Sequence, residues 1–401
     1  MLSSSTLPLA PVYLDAPREP LGLARILVRV IGFCAGVIAV IAFCGAVADP
    51  PGGGIITAKV QAFRRTAGEY DTVFVGTSRA FRWFIPAEFD ARLAERGVRS
   101  SSFNMGMPGA SFYELHHAMR DCIAQGGNLK RVLFEYQELM PQIDPLNAYK
   151  PRMVYWHDAG ETALAMETAL RLGDRRSGGK AYVEDPRAAH TLPGVVFRRW
   201  PADLRIAYEH LKHGLTREFL VGRGKDVTRG LFGREKPELL AMLENRGYLS
   251  LEAELARLER QGVMPNQLTF RREKFLAEID DYVALVEAMK GEAPVFGDTD
   301  WYNGELGFVQ DVEIVQQVAD GVRAAGLEFY LVIMPGNSRD RAFAQRLVDE
   351  LDVPVLVYNA PERFPEFYDP HTHFDSGHPT ADAARAFTQR LVADLLAAGL
   401  E

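Results

Sequence analysis

Residues Thr72–Arg79 read TVFVGTSR, a short run typical of a buried strand that ends in glycine and leads into a serine. Similar runs occur at Ser102–Met105 (SFNM), Arg131–Tyr136 (RVLFEY), Leu327–Met334 (LEFYLVIM) and Val353–Tyr358 (VPVLVY). Stretches with helical spacing of apolar residues separate them. Strands that alternate with helices of this length predict parallel βαβ units in an α/β sandwich with one five-stranded sheet.

Three helices carry sequence signals of their own. The segment Ser111–Glu114 has the form of a capping box, and the helix that it opens has an apolar stripe that includes Cys122. Cys122 is therefore predicted to be a core residue and not a reactive thiol. A second stripe closes at Gly326, and the last helix ends at Gly399.

The N-terminal part contains 19 residues without a charge, Val30–Ala48, which is close to the length of a membrane span. We expect a cytoplasmic tail over 1–22, a transmembrane anchor over 23–48 and a linker over 49–69. Arginines lie nearer to the start of the apolar run than to its end, which favours a cytoplasmic N-terminus. The alternative is a signal peptide cleaved after Ala46-Val47-Ala48. Both readings put most of the chain outside the cytoplasm.

The composition excludes several classes of function. The chain has 401 residues, 47% of them apolar, with 45 Lys and Arg against 53 Asp and Glu, for a net charge of −8. This acidic balance argues against a nucleic-acid partner. Three cysteines are too few for a disulfide framework or a four-cysteine zinc site.

The predicted α/β domain is divided by a segment of different character. Its two parts are expected over 70–139 and 307–401. The 167 residues between them, 140–306, are rich in charge and glycine and show mainly helical patterns, with stripes around Leu251 and around Phe275. We interpret 140–306 as a mostly helical insertion.

Candidate catalytic residues follow the predicted strands, where ligands bind in open parallel sheets. Ser78 is placed to act as a nucleophile, His378 as its base, and Asp375, three residues before His378, as the group that orients the imidazole. The backbone N–H groups of Ser78 and Gly106 are expected to stabilise an oxyanion. We expect no cofactor and no metal: His371 and His373 are interpreted as a pocket wall.

This ordered combination resembles the SGNH hydrolase superfamily, in particular its membrane-anchored cell-envelope branch. That branch includes the DltD-like proteins of teichoic acid D-alanylation and the AlgJ/AlgX-like proteins of exopolysaccharide acetylation. The matching residues are Ser78 in GTSR, Gly106 in FNMGMPGAS, and Asp375 and His378 in DSGHP. The resemblance covers about 165 residues outside the insertion. It implies a flavodoxin-like three-layer α/β/α sandwich with a parallel sheet.

One position departs from the superfamily pattern. An asparagine usually follows the third strand, but here that place reads Glu135-Tyr136-Gln137-Glu138. Gln137 substitutes as a donor, or Asn104 is recruited, or the oxyanion hole has two backbone donors only. Loss of one donor costs on the order of 10²–10³ in rate, which suits a transferase that protects an acyl group from water.

The expected function is that of an extracytoplasmic Ser-His-Asp O-acyltransferase acting on an envelope or exported polysaccharide. The resemblance implies a bacterial inner-membrane location and a multipass membrane O-acyltransferase as the partner on the donor side. Arg79 and Arg82 are candidates for holding an anionic substrate group. The alternatives are an esterase that deacylates envelope glycans and a non-catalytic scaffold that binds a polymer or a partner.

Several of these assignments have alternatives. Ser78 alternatively caps the helix that follows it. Ser338, after another predicted strand, is a rival nucleophile, although no Asp-x-x-His accompanies it. A group of aromatic residues is a candidate for stacking on sugar rings: Trp83, Phe84, Tyr113, Trp156 and Trp301.

Overall fold

The structure is a computed structural model that describes residues 23–47, 54–143, 150–172, 201–219, 237–263, 266–290, 304–336 and 341–400. The chain divides into two compact units, Met1–Asp49 and Pro50–Glu401. The predicted cytoplasmic tail, Ser338 and Trp301 lie outside the described residues.

The first unit contains one helix, α1 (Leu23–Val47), within the part that is described. Its segment Leu23–Val40 is long and apolar enough to cross a membrane, with a mean hydropathy of 2.2. A membrane anchor and a signal sequence both have this property, so the helix agrees with either interpretation of the N-terminus.

The second unit is built on a five-stranded sheet whose strands all run parallel. The strands are β1 (Thr72–Val75), β2 (Ser102–Asn104), β3 (Arg131–Glu135), β4 (Glu328–Ile333) and β5 (Val355–Val357). Their order across the sheet is β2-β1-β3-β4-β5, the order of flavodoxin-like sheets. Successive strands are added on one side of β1 first and then on the other, so the order of strand addition reverses between β1 and β3, and a crevice at their carboxyl ends is the expected ligand position.

Helices surround this sheet. Before β4 they are α2 (Gly54–Thr66), α3 (Ser78–Trp83), α4 (Pro86–Ala94), α5 (Phe112–Ala124), α6 (Pro151–Trp156), α7 (Ala159–Leu172), α8 (Ala202–Phe219), α9 (Pro237–Glu244), α10 (Leu251–Arg260), α11 (Gln267–Ala277), α12 (Ile279–Met289) and α13 (Gly304–Ala324). After β4 come α14 (Arg341–Glu350), a short antiparallel pair, β6 (His373–Asp375) and β7 (His378–Pro379), and α15 (Ala381–Ala397).

Strand side chains alternate between two apolar layers because successive residues of a strand point to opposite faces. Val73 and Val75 of β1 join the cluster built with α2, α5, α13 and α14. Phe74, between them, joins the cluster built with α3, α4, α12 and α15. The sheet is thus covered on both faces, which confirms the prediction of an α/β sandwich with one five-stranded parallel sheet.

One predicted boundary differs from the structure. The linker expected over 49–69 is shorter, because α2 lies inside it and buries Ile56, Lys59 and Phe63 in the second unit. α2 is amphipathic, and its apolar face packs against the apolar layer on one face of the sheet. The capping box at Ser111 and the burial of Cys122 agree with the predictions.

The described part of the 140–306 insertion is helical, as predicted. It is not an independent domain, because Phe275 of α11 and Tyr282, Val286 and Met289 of α12 belong to the same apolar cluster as Phe74 of the sheet. The α11–α12 pair is therefore held over the carboxyl edge of the sheet, where the predicted catalytic residues lie.

Candidate active site

Ser78 lies at the first position of α3, directly after the tight turn that follows β1. Thr77, not Ser78, is the N-cap of this helix, and its side chain accepts a hydrogen bond from the Arg79 N–H at 3.2 Å. The Ser78 hydroxyl is therefore not used for capping. The Ser78 N–H belongs to the first turn, whose donors have no partner within the helix.

Glu135, the last residue of β3, fixes this turn from the neighbouring strand. Its carboxylate accepts hydrogen bonds from the Thr77 N–H (2.6 Å), the Thr77 hydroxyl (2.8 Å) and the Ala80 N–H (3.2 Å), and from Nε of Arg79 (2.8 Å). Glu135 is fully buried. Only glycine fits at position 76, because a Cβ there would lie 2.4 Å from Oε2 of Glu135.

His378 connects Ser78 to Asp375. Its Nε2 lies 2.9 Å from Oγ of Ser78, and its Nδ1 lies 2.8 Å from Oδ1 of Asp375. Asp375 and His378 face each other across the turn of the β6–β7 pair, and the Gly377 N–H also donates to Oδ1 of Asp375 at 3.0 Å. The structure thus brings together the three residues that the sequence singled out, although they come from opposite ends of the chain.

Arg271 of α11 joins this arrangement from the insertion. Its guanidinium forms an ion pair with Oδ2 of Asp375, and Nη2 lies 3.0 Å from Nδ1 of His378. A guanidinium only donates hydrogen bonds and an ionised carboxylate only accepts them, so Asp375 accepts from Arg271 at Oδ2 and from a protonated Nδ1 of His378 at Oδ1. The two donors, Nη2 and Nδ1, are neighbours and do not bond to each other. Arg272 donates to the backbone oxygens of His373 and Phe374 and so holds the same pair of strands.

These contacts determine the charge of Asp375. Burial raises its pKa, but the hydrogen bond from His378, the Gly377 N–H and the charge of Arg271 act more strongly in the opposite direction and bring the pKa to about 2. Asp375 is therefore an anion at neutral pH, as a residue that orients and stabilises a histidine must be.

A cavity of about 650 Å³ opens above Ser78 at the carboxyl edge of the sheet. Loops after several strands and the apolar face of α12 form its walls. The lining residues are Thr77, Ser78, Arg79, Gly109, Ala110, Gln137, Glu138, Tyr282, Leu285, Val286, Met289, Pro335, Gly336, Tyr368, His373, Ser376, Gly377 and His378. Its position is the one expected for a ligand in a sheet of this order.

The structure does not place Gly106 at this cavity. The Gly106 N–H donates to Oδ1 of Asn104 at 2.8 Å, and the absence of a side chain lets the loop lie against the backbone of Phe81, where a Cβ would be 2.4 Å from the nitrogen. The Gly106 N–H, which was expected to stabilise an oxyanion, is therefore already used in a structural hydrogen bond. Close approach of the backbone does occur at Gly106, but toward α3 and not toward the cavity.

Asn104 is also unavailable as an oxyanion donor. It is fully buried, and its amide nitrogen donates to the backbone oxygens of Ala80 (2.9 Å) and Phe84 (2.7 Å). Nζ of Lys59, itself buried, donates to the backbone oxygens of Asn104 (2.9 Å) and Gly106 (2.6 Å). Burial, followed by the charge of Arg82, lowers the pKa of Lys59 well below its usual value.

Gln137 and Gly109 remain as donors at the cavity. Gln137 is half-buried, lines the cavity, and has no hydrogen-bond partner among the residues that the structure describes. Gly109 has a φ of +62°, and its N–H is likewise without a partner in the described part of the chain. Arg152 holds this loop through the backbone oxygens of Pro108 (3.0 Å) and Gly109 (3.1 Å).

The two candidate substrate arginines differ. Arg79 lines the cavity, with Nε bound to Glu135. Arg82 is buried and lies away from the cavity lining: it donates to the Leu249 backbone oxygen (2.5 Å) and to Glu254 (2.6 Å). Arg82 therefore ties α3 to the insertion, and the structure does not bring it to the cavity lining. Its two hydrogen-bond partners are 167 and 172 residues away in the sequence, so no local spacing of residues predicts these contacts.

The structure places the two histidine candidates differently, and it places the aromatic candidates in the core. His373 is buried and lines the cavity, with Nε2 2.8 Å from both the Tyr282 hydroxyl and the Phe367 backbone oxygen, whereas His371 is exposed. Burial lowers the pKa of His373. The described aromatic residues proposed to stack on sugar rings are buried and belong to the core: Trp83, Phe84, Tyr113 and Trp156.

Potential metal ligands come together elsewhere, at His117, Asp158 and Glu161. Nη1 of Arg120 lies 2.8 Å from Oε1 of Glu161 and 3.5 Å from Oδ1 of Asp158. A guanidinium therefore already balances the two carboxylates.

Sequence reasoning missed Glu135 and Arg271. A signal for Glu135 was present, because it directly follows the apolar residues Val132–Phe134 of β3, and a buried charge needs a partner. Arg271 gave no signal, since one of two adjacent arginines on an amphipathic helix looks like part of a solvated face.

Comparison with known proteins adds no family assignment. The sequence matches no known family model, and a search of curated proteins gave no match. The arrangement of Ser78, His378 and Asp375 is therefore the main observation that bears on function.

Proposed function

We propose that the protein is a serine acyltransferase in which Ser78 takes up an acyl group and passes it to a hydroxyl group of a polysaccharide. The observation that carries the proposal is the continuous hydrogen-bonded path from Ser78 through His378 to Asp375 at the base of a large cavity. The same residue types in the same contacts perform nucleophilic acyl transfer on unrelated folds.

The proposed reaction has two steps, acylation of Ser78 and transfer of the acyl group to the acceptor. Oγ of Ser78 attacks the acyl carbon while Nε2 of His378 takes the hydroxyl proton. The bond to the leaving oxygen then breaks, and that oxygen takes the proton from His378. In the second step an acceptor hydroxyl gives its proton to His378 and attacks the acyl carbon. The bond from that carbon to Oγ of Ser78 then breaks, and Oγ takes the proton back from His378. Asp375 stabilises the imidazolium that forms in both steps.

Three donors are proposed for the oxyanion. They are the N–H of Ser78, the N–H of Gly109 and the side-chain amide of Gln137, all at the cavity lining. Gly109 replaces Gly106 in this proposal, because the Gly106 N–H is bound to Asn104. Donors held on the loops after three adjacent strands are preorganised for the developing charge.

The family and the location belong to the same proposal. The five-stranded order, the serine after β1 and the Asp-x-x-His near the C-terminus support membership of the SGNH hydrolase superfamily. The apolar helix α1 supports a single-pass anchor in a bacterial inner membrane with the α/β unit outside the cytoplasm. There, a multipass membrane acyltransferase would supply the acyl group.

A fluorophosphonate probe tests the nucleophile on the full chain in detergent. We expect one adduct, located on Ser78 by peptide mass spectrometry. Ser78→Ala and His378→Ala should abolish it, whereas Ser376→Ala, which removes another serine at the cavity, should retain it. A folded wild-type protein that gives no Ser78 adduct would contradict the proposal and favour a scaffold.

Transfer and hydrolysis are separated in cells and with purified protein. The Ser78→Ala strain should lose ester-linked acyl groups from its envelope polysaccharide, measured as acid released by mild base. An unchanged acyl content would count against transfer. Rapid turnover of p-nitrophenyl acetate, at tens per second with no increase on adding an oligosaccharide acceptor, would identify an esterase instead.

A further inference from the structure

A second, smaller cavity of about 180 Å³ adjoins the cavity above Ser78. The two share four lining residues, Gly109, Ala110, Gln137 and Glu138, so they meet at the loops that follow β2 and β3. We call the smaller cavity the side chamber. Neither Ser78 nor His378 lines it, and its remaining walls come from α5, α6, α8 and the segment after Leu139.

Buried apolar side chains form part of the wall of the side chamber. Tyr113, Ile143, Met153 and Trp156 are each less than one-tenth exposed. The rings of Tyr113 and Trp156 are stacked, with centroids 5.5 Å apart and planes inclined by 10°. Such a surface favours an apolar group, because burying it removes apolar area from water.

Two of the polar residues at the side chamber, Glu114 and His210, are bound to protein partners. The Glu114 carboxylate accepts hydrogen bonds from Arg152 (2.7 Å) and from the Ser111 N–H (2.9 Å). Nε2 of His210 lies 2.7 Å from the Pro141 backbone oxygen, and Nδ1 lies 3.0 Å from His157. The charge of Glu114 is thus balanced, so it does not oppose an uncharged ligand.

The chemistry of acyl transfer decides which part of a substrate enters the side chamber. The leaving oxygen, and later the acceptor hydroxyl, must face Nε2 of His378 because they exchange a proton with it. The acyl chain extends from the reacting carbon in another direction. His378 and Gly377 line the large cavity only, whereas the side chamber opens beside Gly109 and Gln137, next to the proposed oxyanion donors.

We propose that the side chamber binds the acyl chain and limits it to a small apolar acyl group, while the acceptor enters through the large cavity. This inference rests on the proposed function of Ser78. An apolar cavity of about 150 Å³ holds a benzene-sized molecule, so 180 Å³ accommodates an acyl group of up to about six carbons. The large cavity, with α12 as its wall, is left for the acceptor.

The test measures acyl-chain preference with a series of p-nitrophenyl esters from acetate to decanoate, on the full chain in detergent. If turnover is slow, alkylphosphonofluoridates with the same chain lengths replace the esters, and the rate of Ser78 adduct formation is measured instead. We expect the rate to fall at least tenfold between six and ten carbons. Met153→Ala enlarges the chamber and should move this fall to chains about two carbons longer. Ile143→Trp fills the chamber and should move it to shorter chains.

Leu285→Ala is the matched control, because Leu285 lines only the large cavity. It should leave the chain-length limit where it is in the wild type. A flat wild-type profile, or a limit that moves with Leu285→Ala and not with Met153→Ala, would overturn the inference while Ser78 still reacts. No Ser78 adduct with any probe would instead overturn the proposed function, and the side chamber's assignment with it.

Discussion

Glu135 binds Thr77 through both of its carboxylate oxygens, with the Thr77 N–H at 2.6 Å from Oε2 and the Thr77 hydroxyl at 2.8 Å from Oε1. The contact joins the end of β3 to the turn after β1, 58 residues earlier in the chain. Since Ser78 follows Thr77 directly, this carboxylate holds the turn from which the serine side chain extends. Arg79 compensates the buried charge through Nε at 2.8 Å.

Glu135→Gln keeps the size of the side chain but removes its charge. Hydrogen bonds to a charged group are worth about 1.5–3 kcal/mol, so we expect the free energy of unfolding to fall by about 2 kcal/mol and Ser78 labelling to slow about tenfold. Urea unfolding and fluorophosphonate labelling measure the two effects. Glu287→Gln, which removes an exposed pair with Lys290, is the control and should change stability by less than about 1 kcal/mol.

Arg271→Met should slow Ser78 labelling about tenfold, because Asp375 loses the charged partner of Oδ2 while Oδ1 keeps His378 and Gly377. Without the arginine charge the pKa of Asp375 rises from about 2, so the loss should be smallest at pH 8 and should grow as the pH falls toward that pKa. Arg271→Lys should restore part of the rate.

Arg272→Met provides the comparison for Arg271, since Arg272 holds the same strand pair through backbone oxygens only. We expect its effect on labelling to be independent of pH. If both variants behave alike at every pH, Arg271 acts through the position of β6 and not through the charge of Asp375.

Acid should destabilise the protein through buried histidines. Burial lowers the pKa of His210 to about 4 and lowers that of His157 well below its usual value. The unfolded chain binds a proton near pH 6.5, so between about pH 6.5 and 4 it holds more protons than the folded chain. Stability therefore falls as the pH drops through this range, by about 3 kcal/mol for His210, and this contribution changes no further below pH 4.

His210→Gln checks this pH dependence. The variant should be less stable at pH 7.5, because contacts to Pro141 and His157 are altered, but its stability should fall less steeply between pH 6.5 and 4. His371→Gln, at an exposed position, should keep the wild-type slope. Urea unfolding at a series of pH values gives all three slopes, and equal slopes would refute the assignment to His210.

Asn104→Ala distinguishes a structural asparagine from an oxyanion donor. Its amide donates to the backbone oxygens of Ala80 and Phe84, and its oxygen accepts from the Gly106 N–H, so the variant leaves buried polar groups unpaired. We expect a loss of about 2–4 kcal/mol in unfolding free energy. Asn128→Ala, at an exposed site, should cost less than about 1 kcal/mol. Slower labelling at wild-type stability would restore Asn104 to the oxyanion hole.

The sequence by itself determined the elements of the sheet and the order of the candidate residues along it. The strands TVFV (β1) and EFYLVI (β4) are buried on both faces, and Glu328 alone among their side chains is exposed. Strands buried on both faces are continuous apolar runs, which can be recognised in the sequence. Asp375 and His378 were identifiable because a tight turn brings them together over three residues. Ser78 could be paired with them only because strand ends of a parallel sheet share an edge.

The tertiary structure decided which polar groups are free. Gly106 has the sequence context of an oxyanion glycine, yet its N–H is bound to Asn104, and Gly109 lines the cavity instead. Arg82 and Arg271 are both arginines on amphipathic helices, yet one ties α3 to the insertion and the other binds Asp375. Burial and periodicity are properties of a few neighbouring residues, whereas a hydrogen bond depends on distances and angles between segments that only packing brings together.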